Sequence, residues 1–244
     1  MLRFSVILWI SAGLLLGGCA AGSASMEGQG ESEPDILRTD PPIDPEIALL
    51  LDSYRDSLNS VMGTPVAVVS DTLRFGQPES PLGNIVTDAL RFRAGAELET
   101  YVNVGIMGES SFKLYLEPGE VTVGELLDFM PYDNHLVVLT LSGNEIENLA
   151  SRIAELGGSP VSGMRFMIRN GRAVGILVNS EVLDRNRNYL VATSSWAADG
   201  GDLYPALWNY TDRIDLEVSV RELIVDYFRS RREVAPITDG RIRR

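Results

Sequence analysis

The residues with the clearest chemical potential lie between Tyr189 and Tyr204, in the sequence YLVATSSWAADGGDLY. A β-prone run ends at two serines, Trp196 follows, and Gly-Gly then leads to Asp202. An indole offers a face for stacking, and glycines permit close approach of the backbone. A carboxylate accepts hydrogen bonds from a sugar diol or a base edge. The stretch therefore predicts a site for a flat polar ring, although a tryptophan buried beside a glycine turn would explain the same residues.

Other groups that could do chemistry are scarce. His135 is the only histidine and begins an apolar run, and Cys19 is the only cysteine. Two-metal phosphoryl chemistry needs a cluster of His, Asp and Asn ligands, and a serine triad needs a histidine base. No P-loop or GxGxxG motif occurs. The sequence therefore predicts no catalytic residue, no metal site and no cofactor in this chain.

Three further motifs precede this stretch. The run ESPLGNIVTDA at 79–89 predicts the start of an amphipathic helix, with a serine N-cap and a proline in the first helical position. The run NVGIMG at 103–108 follows a short strand, which predicts a glycine turn at Gly105. The run PYDN at 131–134 precedes the apolar strand HLVVLTL. All three are therefore expected to lie at the ends of regular elements.

Together these motifs resemble the C-terminal domain of 5′-nucleotidases. That family has ESxLGNxVxDA, Asn-x-Gly-Gly-Ile-Arg, PFxN, x-Ser-Gly-x and aromatic-x-Ala-x-Gly-Gly-Asp in this order, and the chain follows the order from about Ile47 to Ile242. In the family, a separate N-terminal domain holds two metal ions and a catalytic His-Asp pair. The C-terminal domain supplies aromatic rings that sandwich the base.

The resemblance implies a set of substrate-binding residues. Trp196 would stack on the base, Asp202 would make a polar contact, Asn103 and Gly105 would form the opposing turn, and Tyr132 would stand at the position of the family's Phe. One position departs from the family, because Gly108 stands where its Arg reaches the substrate. Arginine binds anions through two parallel hydrogen bonds. The glycine at position 108 is therefore expected to affect recognition of the phosphate.

The elements that position these residues are predicted from periodicity and caps. A helix is expected from Pro45 to Gly63, with apolar residues at helical spacing, and capping boxes at Thr122, Ser142 and Ser219 predict three more. Asn170-Gly171 between alternating runs predicts a hairpin. The resemblance implies the fold class α/β mixed (α+β): a single domain over 44–244, like the 5′-nucleotidase C-terminal domain, with a mixed sheet and packed helices.

The N-terminus predicts export and anchoring. Residues 1–19 carry a short positive region, an apolar run and LGGC, which resembles a bacterial lipobox and predicts a lipoprotein signal peptide with lipid attached to Cys19. An ordinary signal peptide with an accidental cysteine is the alternative. Residues 20–43 are rich in Ser, Gly, Glu and Pro and predict a disordered tether. The expected location is the bacterial cell envelope, on the periplasmic or surface face of the outer membrane.

The charge of the chain bears on its partners. The formal net charge is −13, and 20 of the 21 cationic residues are arginines. Nucleic-acid binding requires a basic footprint, so it is not expected.

The function that follows is the nucleoside- or nucleotide-recognition half of a split 5′-nucleotidase, acting in nucleotide catabolism. Its partner would be a separate metallophosphatase chain, which alone would carry divalent metals. The alternative is a non-catalytic binding or structural lipoprotein on the same fold, and a third interpretation is a self-sufficient hydrolase with an unrecognised site.

Overall fold

The computed structural model describes residues 44–108, 110, 112–113 and 115–244. The predicted signal peptide, Cys19 and the predicted tether lie outside the described residues. Residues 49–244 form one compact unit. The regular elements in chain order are α1 (Pro45–Met62), β1 (Pro65–Val69), β2 (Leu73–Arg74), α2 (Pro81–Glu97), β3 (Val104–Ile106), β4 (Tyr115–Leu116), β5 (Gly119–Thr122), α3 (Val123–Phe129), β6 (His135–Ser142), α4 (Gly143–Glu155), β7 (Val161–Ser162), β8 (Met164–Arg169), β9 (Arg172–Val178), β10 (Glu181–Val182), β11 (Asn188–Ser194), α5 (Ser195–Ala198), a 3₁₀ helix (Pro205–Trp208), β12 (Asp212–Ser219), α6 (Val220–Arg231), β13 (Glu233–Val234) and β14 (Ile242–Arg243).

A five-stranded mixed sheet in the order β12-β6-β11-β3-β7 forms the centre of the domain. Only β11 and β3 pair in parallel, and the other neighbours are antiparallel. Side chains alternate between the two faces of a strand, so β6 contributes to two cores. Leu136 and Val138 face one core, while Val137, Leu139 and Leu141 face the other. The sheet is therefore covered on both faces.

The layers on the two faces differ. The first core packs the sheet against α2, α3, α6 and the sheet β13-β1-β5, and the second packs it against α4 and the sheet β10-β9-β8-β14. The hairpin between β8 and β9 turns at Asn170 and Gly171, both at positive φ, as predicted. A single mixed α/β domain with helices packed on a mixed sheet is confirmed.

Local signals in the sequence explain most helix starts. The Ser80 hydroxyl accepts the N–H of Gly83 at 3.2 Å, and Thr122 and Glu125 form the reciprocal capping box. Helix α6 begins after Ser219 as predicted, but the predicted side-chain cap is wrong, because the Ser219 hydroxyl makes no cap hydrogen bond. Within the described residues, no helix has the length and apolarity needed to span a membrane.

The C-terminal residues are bound to the beginning of α2. Strand β14 pairs in parallel with β8, and β13 pairs in parallel with β1. The Glu79 carboxylate accepts the N–H groups of Asp239 and Arg241, each at 2.9 Å. The Arg241 guanidinium forms an ion pair with Asp88 at 2.7 Å. This network joins residues 79–88 to residues 239–243.

Helix α1 is formed where predicted, but it contributes nothing to either core. It has no buried residue, although its apolar residues recur at helical spacing. The exposed members after Ala48 are Leu49, Leu50, Leu51, Tyr54, Leu58 and Val61. An apolar stripe of this kind normally faces a core.

Candidate functional site

Trp196 is presented by a short helix at the end of β11. The Ser194 hydroxyl accepts the N–H of Ala197 at 3.2 Å and so begins α5, which is only four residues long. Its end is fixed by the N–H of Gly201, which donates to the Trp196 carbonyl at 2.8 Å. Trp196 is 52% exposed, while the residues around it in α5 are buried. The indole is therefore held outward on a well-fixed turn.

The two glycines after this helix are required for different reasons, Gly201 by the packing of Trp196 and Gly200 by its backbone conformation. A Cβ atom at Gly201 would lie 2.0 Å from Cε2 of Trp196, so only glycine fits against that indole. Gly200 has a φ of +94°, which favours glycine, and its position lies beside the ring of Trp208. The Gly-Gly pair thus lets the backbone pass between two large side chains.

A cavity of about 400 Å³ lies beside the exposed indole. Its lining residues are Ser110, Tyr132, Asn134, Trp196 and Gly201. Tyr132 is 54% exposed, so two half-exposed aromatic side chains border one cavity. This arrangement suits a flat ring with polar edges.

The sheet register brings the two aromatic residues to the same place. Strands β6 and β11 are antiparallel, with Leu136 opposite Ser194, so the start of β6 lies beside the end of β11. The backbone N–H of His135 donates to the Ser195 hydroxyl at 3.2 Å and links the two segments. Tyr132 and Trp196, far apart in sequence, therefore meet at one edge of the central sheet.

Asp202 is buried and bonded within the protein. Its Oδ2 accepts the N–H of Gly108 at 2.9 Å, and its Oδ1 accepts the Ser110 hydroxyl at 3.1 Å. Burial raises the pKa of this carboxyl, and the two hydrogen bonds oppose that rise. In this geometry Asp202 positions Ser110 at the cavity. Its use as an acceptor for a ligand stays a prediction.

Gly108 leaves room for the Asp202 carboxylate. A Cβ atom at position 108 would lie 2.2 Å from Asp202 Oδ1. An arginine there would therefore displace the carboxylate, so it could not simply be added to the site as found.

Asn103 and Gly105 hold β3 in the sheet. The Asn103 side-chain oxygen accepts the N–H of Leu190 at 2.8 Å, which fixes β3 against β11. The predicted turn at Gly105 is wrong, because this residue lies inside β3, where a Cβ atom would come 2.4 Å from the Thr87 carbonyl oxygen. Helix α2 packs too closely on the strand for a side chain to fit. Neither residue lines the cavity, and their role in binding stays a prediction.

Ser110 and Asn134 are cavity residues that sequence reasoning did not select. Asn134 is the last residue of the PYDN motif, so the sequence could have indicated it as a site residue. Ser110 carried none, since its place depends on the hydrogen bond to Asp202 across 92 positions of sequence.

Charged groups on the nearby surface pair with one another. His135 Nε2 lies 3.1 Å from Asp215 Oδ1, and Arg213 binds both Asp215 and Asp199. The Arg213 guanidinium is the main cause of the lowered pKa of Asp215, and His135 adds to it. These groups contact one another in a network at the surface rather than forming a nucleophile with its base.

The described residues do not fit the two metal ions of the phosphatase half. Across residues 44–244, leaving aside 109, 111 and 114, no group of three or more His, Cys, Asp and Glu side chains is arranged to hold a metal ion.

Comparison with known proteins identifies the domain. A family profile described as "5′-nucleotidase, C-terminal domain" matches residues 64–208, more than half of the chain. The chain therefore belongs to the 5′-nucleotidase C-terminal domain family. This family is the substrate-binding C-terminal domain of 5′-nucleotidases, which act in nucleotide catabolism.

Similar proteins are longer than this chain. Protein UshA of Salmonella pullorum is 26% identical over 206 residues, which cover 78% of this chain and 36% of UshA. The trifunctional nucleotide phosphoesterase protein YfkN of Bacillus subtilis is 25% identical over 221 residues, 82% of this chain and 15% of YfkN. The chain thus spans about a third or less of these relatives.

Solved structures agree on the fold. The 5′-nucleotidase precursor from Thermus thermophilus matches with a TM-score of 0.67 and 24% identity, over 81% of this chain and 42% of that one. The NAD nucleotidase of Haemophilus influenzae matches with a TM-score of 0.58 and 20% identity, over 82% and 41% of the two chains.

Proposed function

We propose that this chain is the nucleoside- or nucleotide-recognition half of a split 5′-nucleotidase. The observation that carries the proposal is the cavity bordered by Tyr132 and Trp196, with Gly201 packed against the indole. Two aromatic side chains at one cavity favour a stacked base, and Ser110 and Asn134 add hydrogen-bonding groups at its edge. Family membership supports the same ligand class.

Catalysis is assigned to another chain in this proposal. The relatives are much longer than the matched region, and the described residues offer no metal cluster. A separate metallophosphatase would supply the metal ions and the contacts to the phosphate, while this chain holds the nucleoside part of the substrate. The isolated chain should therefore not hydrolyse nucleoside monophosphates in the presence of divalent metal. Turnover by the chain alone that is lost in Trp196→Ala would refute this assignment and favour a self-sufficient hydrolase.

The proposal also places the domain on a lipid anchor at Cys19, in the bacterial cell envelope. Support comes from the apolar run and the LGGC sequence that ends at this lone cysteine. Labelling with palmitate should be lost in Cys19→Ser, because the thiol is the site of lipid attachment. Label that is retained in this variant would refute the assignment of the anchor to Cys19.

Calorimetric titration with nucleosides and nucleotides tests the binding function. Trp196→Ala should weaken binding about tenfold or more, because stacking of a base on an aromatic ring contributes roughly 1–3 kcal/mol. Trp196→Phe should weaken it less, since a stacking face remains. Trp208→Phe is the matched control, because this indole lies against Gly200 and does not line the cavity. Absence of saturable binding at millimolar ligand would favour the alternative, a structural lipoprotein.

A further inference from the structure

The donors beside the Tyr132–Trp196 cavity are already bound to an anion that belongs to the protein. The Gly108 N–H and the Ser110 hydroxyl both donate to the Asp202 carboxylate, at 2.9 and 3.1 Å. We infer that the cavity takes an uncharged nucleoside-like ligand and discriminates against a phosphate group on it. This inference rests on the proposed function and adds the charge class of the ligand.

A phosphate could use these donors only by displacing Asp202. The carboxylate is buried, with 5% of the residue exposed, and it lies so close to Gly108 that a Cβ atom there would approach to 2.2 Å. A backbone N–H and a hydroxyl are groups that bind phosphate oxygens in other proteins. Here both are bound to a carboxylate, which also repels a second anion. The chain's own anion therefore already uses two donors that a phosphate near the cavity could otherwise bind.

The described lining of the cavity carries no cation. Its residues are Ser110, Tyr132, Asn134, Trp196 and Gly201, all of them uncharged. Recognition of phosphate commonly uses the fork of an arginine or the ammonium group of a lysine.

Three cations near the lining residues are bound to carboxylates. Arg213 lies 2.6 Å from Asp199 and 2.7 Å from Asp215. Arg221 lies 2.9 Å from Asp133, which follows Tyr132. Lys113, beyond Ser110, lies 3.5 Å from Asp128. Each cation is thus matched by a carboxylate, and the net charge of −13 makes the general field unfavourable to anions.

The groups that remain at the cavity suit a neutral ligand. The Asn134 amide has both donors and an acceptor, and the Tyr132 hydroxyl can serve in either role. The Ser110 hydroxyl donates to Asp202 and can still accept a hydrogen bond from the ligand. Such groups match the mixed edges of a base or the hydroxyls of a sugar. Stacking between the two aromatic side chains needs no charge on the ligand.

Calorimetry on the full chain with adenosine and with adenosine 5′-monophosphate tests the inference. Adenosine should bind at least about tenfold more tightly, and about 0.5 M salt should narrow the difference because it screens the repulsion. Equal or tighter binding of the monophosphate would overturn the inference and leave the proposed function in place. If neither compound binds at millimolar concentration, the proposed function fails as well.

The variant Asp202→Asn tests whether the charge of Asp202 causes the preference for adenosine. Asparagine keeps an acceptor for the Gly108 N–H but removes the charge, so the preference for adenosine should fall by roughly threefold or more while adenosine affinity is largely kept. Glu181→Gln is the control, because it makes the same change in net charge on the exposed strand β10. An equal fall in both variants would trace the preference to net charge and overturn the local explanation. If Asp202→Asn does not fold, the comparison of adenosine with adenosine 5′-monophosphate on the wild-type chain decides whether the inference holds.

Discussion

Helices α1 and α4 both carry apolar residues at helical spacing, but those of α4 are buried and those of α1 are exposed. In α4 the residues Ile146, Leu149 and Ile153 are fully buried between the central sheet and β9. In α1 the corresponding residues Leu51 and Leu58 are 42% and 55% exposed. The periodicity of a sequence therefore predicts a helix, but burial depends on a layer that the rest of the chain must supply.

The largest expected effect comes from truncating one leucine in each helix. Leu149→Ala should lower the free energy of unfolding by about 2–5 kcal/mol, because it leaves a cavity in the core. Leu58→Ala should change it by less than about 0.5 kcal/mol, since the side chain is exposed. Urea unfolding of both variants measures the difference. Equal losses would show that α1 is packed in solution.

A smaller effect is expected from the caps of the same two helices. The Ser142 hydroxyl accepts the N–H of Glu145 at 3.3 Å, and Ser142→Ala should cost about 1 kcal/mol of unfolding free energy. Asp44 accepts the N–H of Glu46 at 2.8 Å, and Asp44→Ala should lower helix content in circular dichroism without moving the urea midpoint. A shift of that midpoint in Asp44→Ala would tie α1 to the cooperative unit.

The smallest effect is expected from removing α1 altogether. A chain that begins at Gly63 keeps Thr64, whose carbonyl accepts the N–H of Val123 at 3.0 Å. It should unfold cooperatively, with a free energy of unfolding within about 0.5 kcal/mol of that of the longer chain, because α1 buries no residue of its own. Loss of the cooperative transition in a thermal melt would contradict the conclusion that α1, unlike α4, contributes little to the stability of the domain.

Local signals made part of the fold predictable. The capping box at Thr122, the serine cap at Ser80 and the Asn170-Gly171 hairpin each act over a few residues, so the sequence displays them directly. The failed cap at Ser219 shows that such a signal can be present while the side chain makes no cap bond. The overall α/β class was expected from the resemblance of the motifs to the 5′-nucleotidase C-terminal domain, and the structure has it.

The candidate site was predictable only in part. Its aromatic residues stand in motifs, so Tyr132 and Trp196 could be selected from the sequence, and the structure places both at one cavity. The bond between Asp202 and Gly108 spans 94 positions and depends on the packing of a loop, which no local pattern reports. Gly105 was assigned to a turn because glycine marks turns, whereas here glycine is required by the close approach of α2.

The network that joins residues 79–88 to residues 239–243 has a consequence for the order of events during synthesis. Glu79 accepts a hydrogen bond from a residue 162 positions later, and β1 stays without its parallel neighbour until residues 233–234 have been translated. Contacts of such long sequence separation form late, and an unpaired strand edge is open to other chains meanwhile. While the ribosome is still adding residues, the nascent polypeptide therefore remains accessible to chaperones and proteases almost until its final residues emerge.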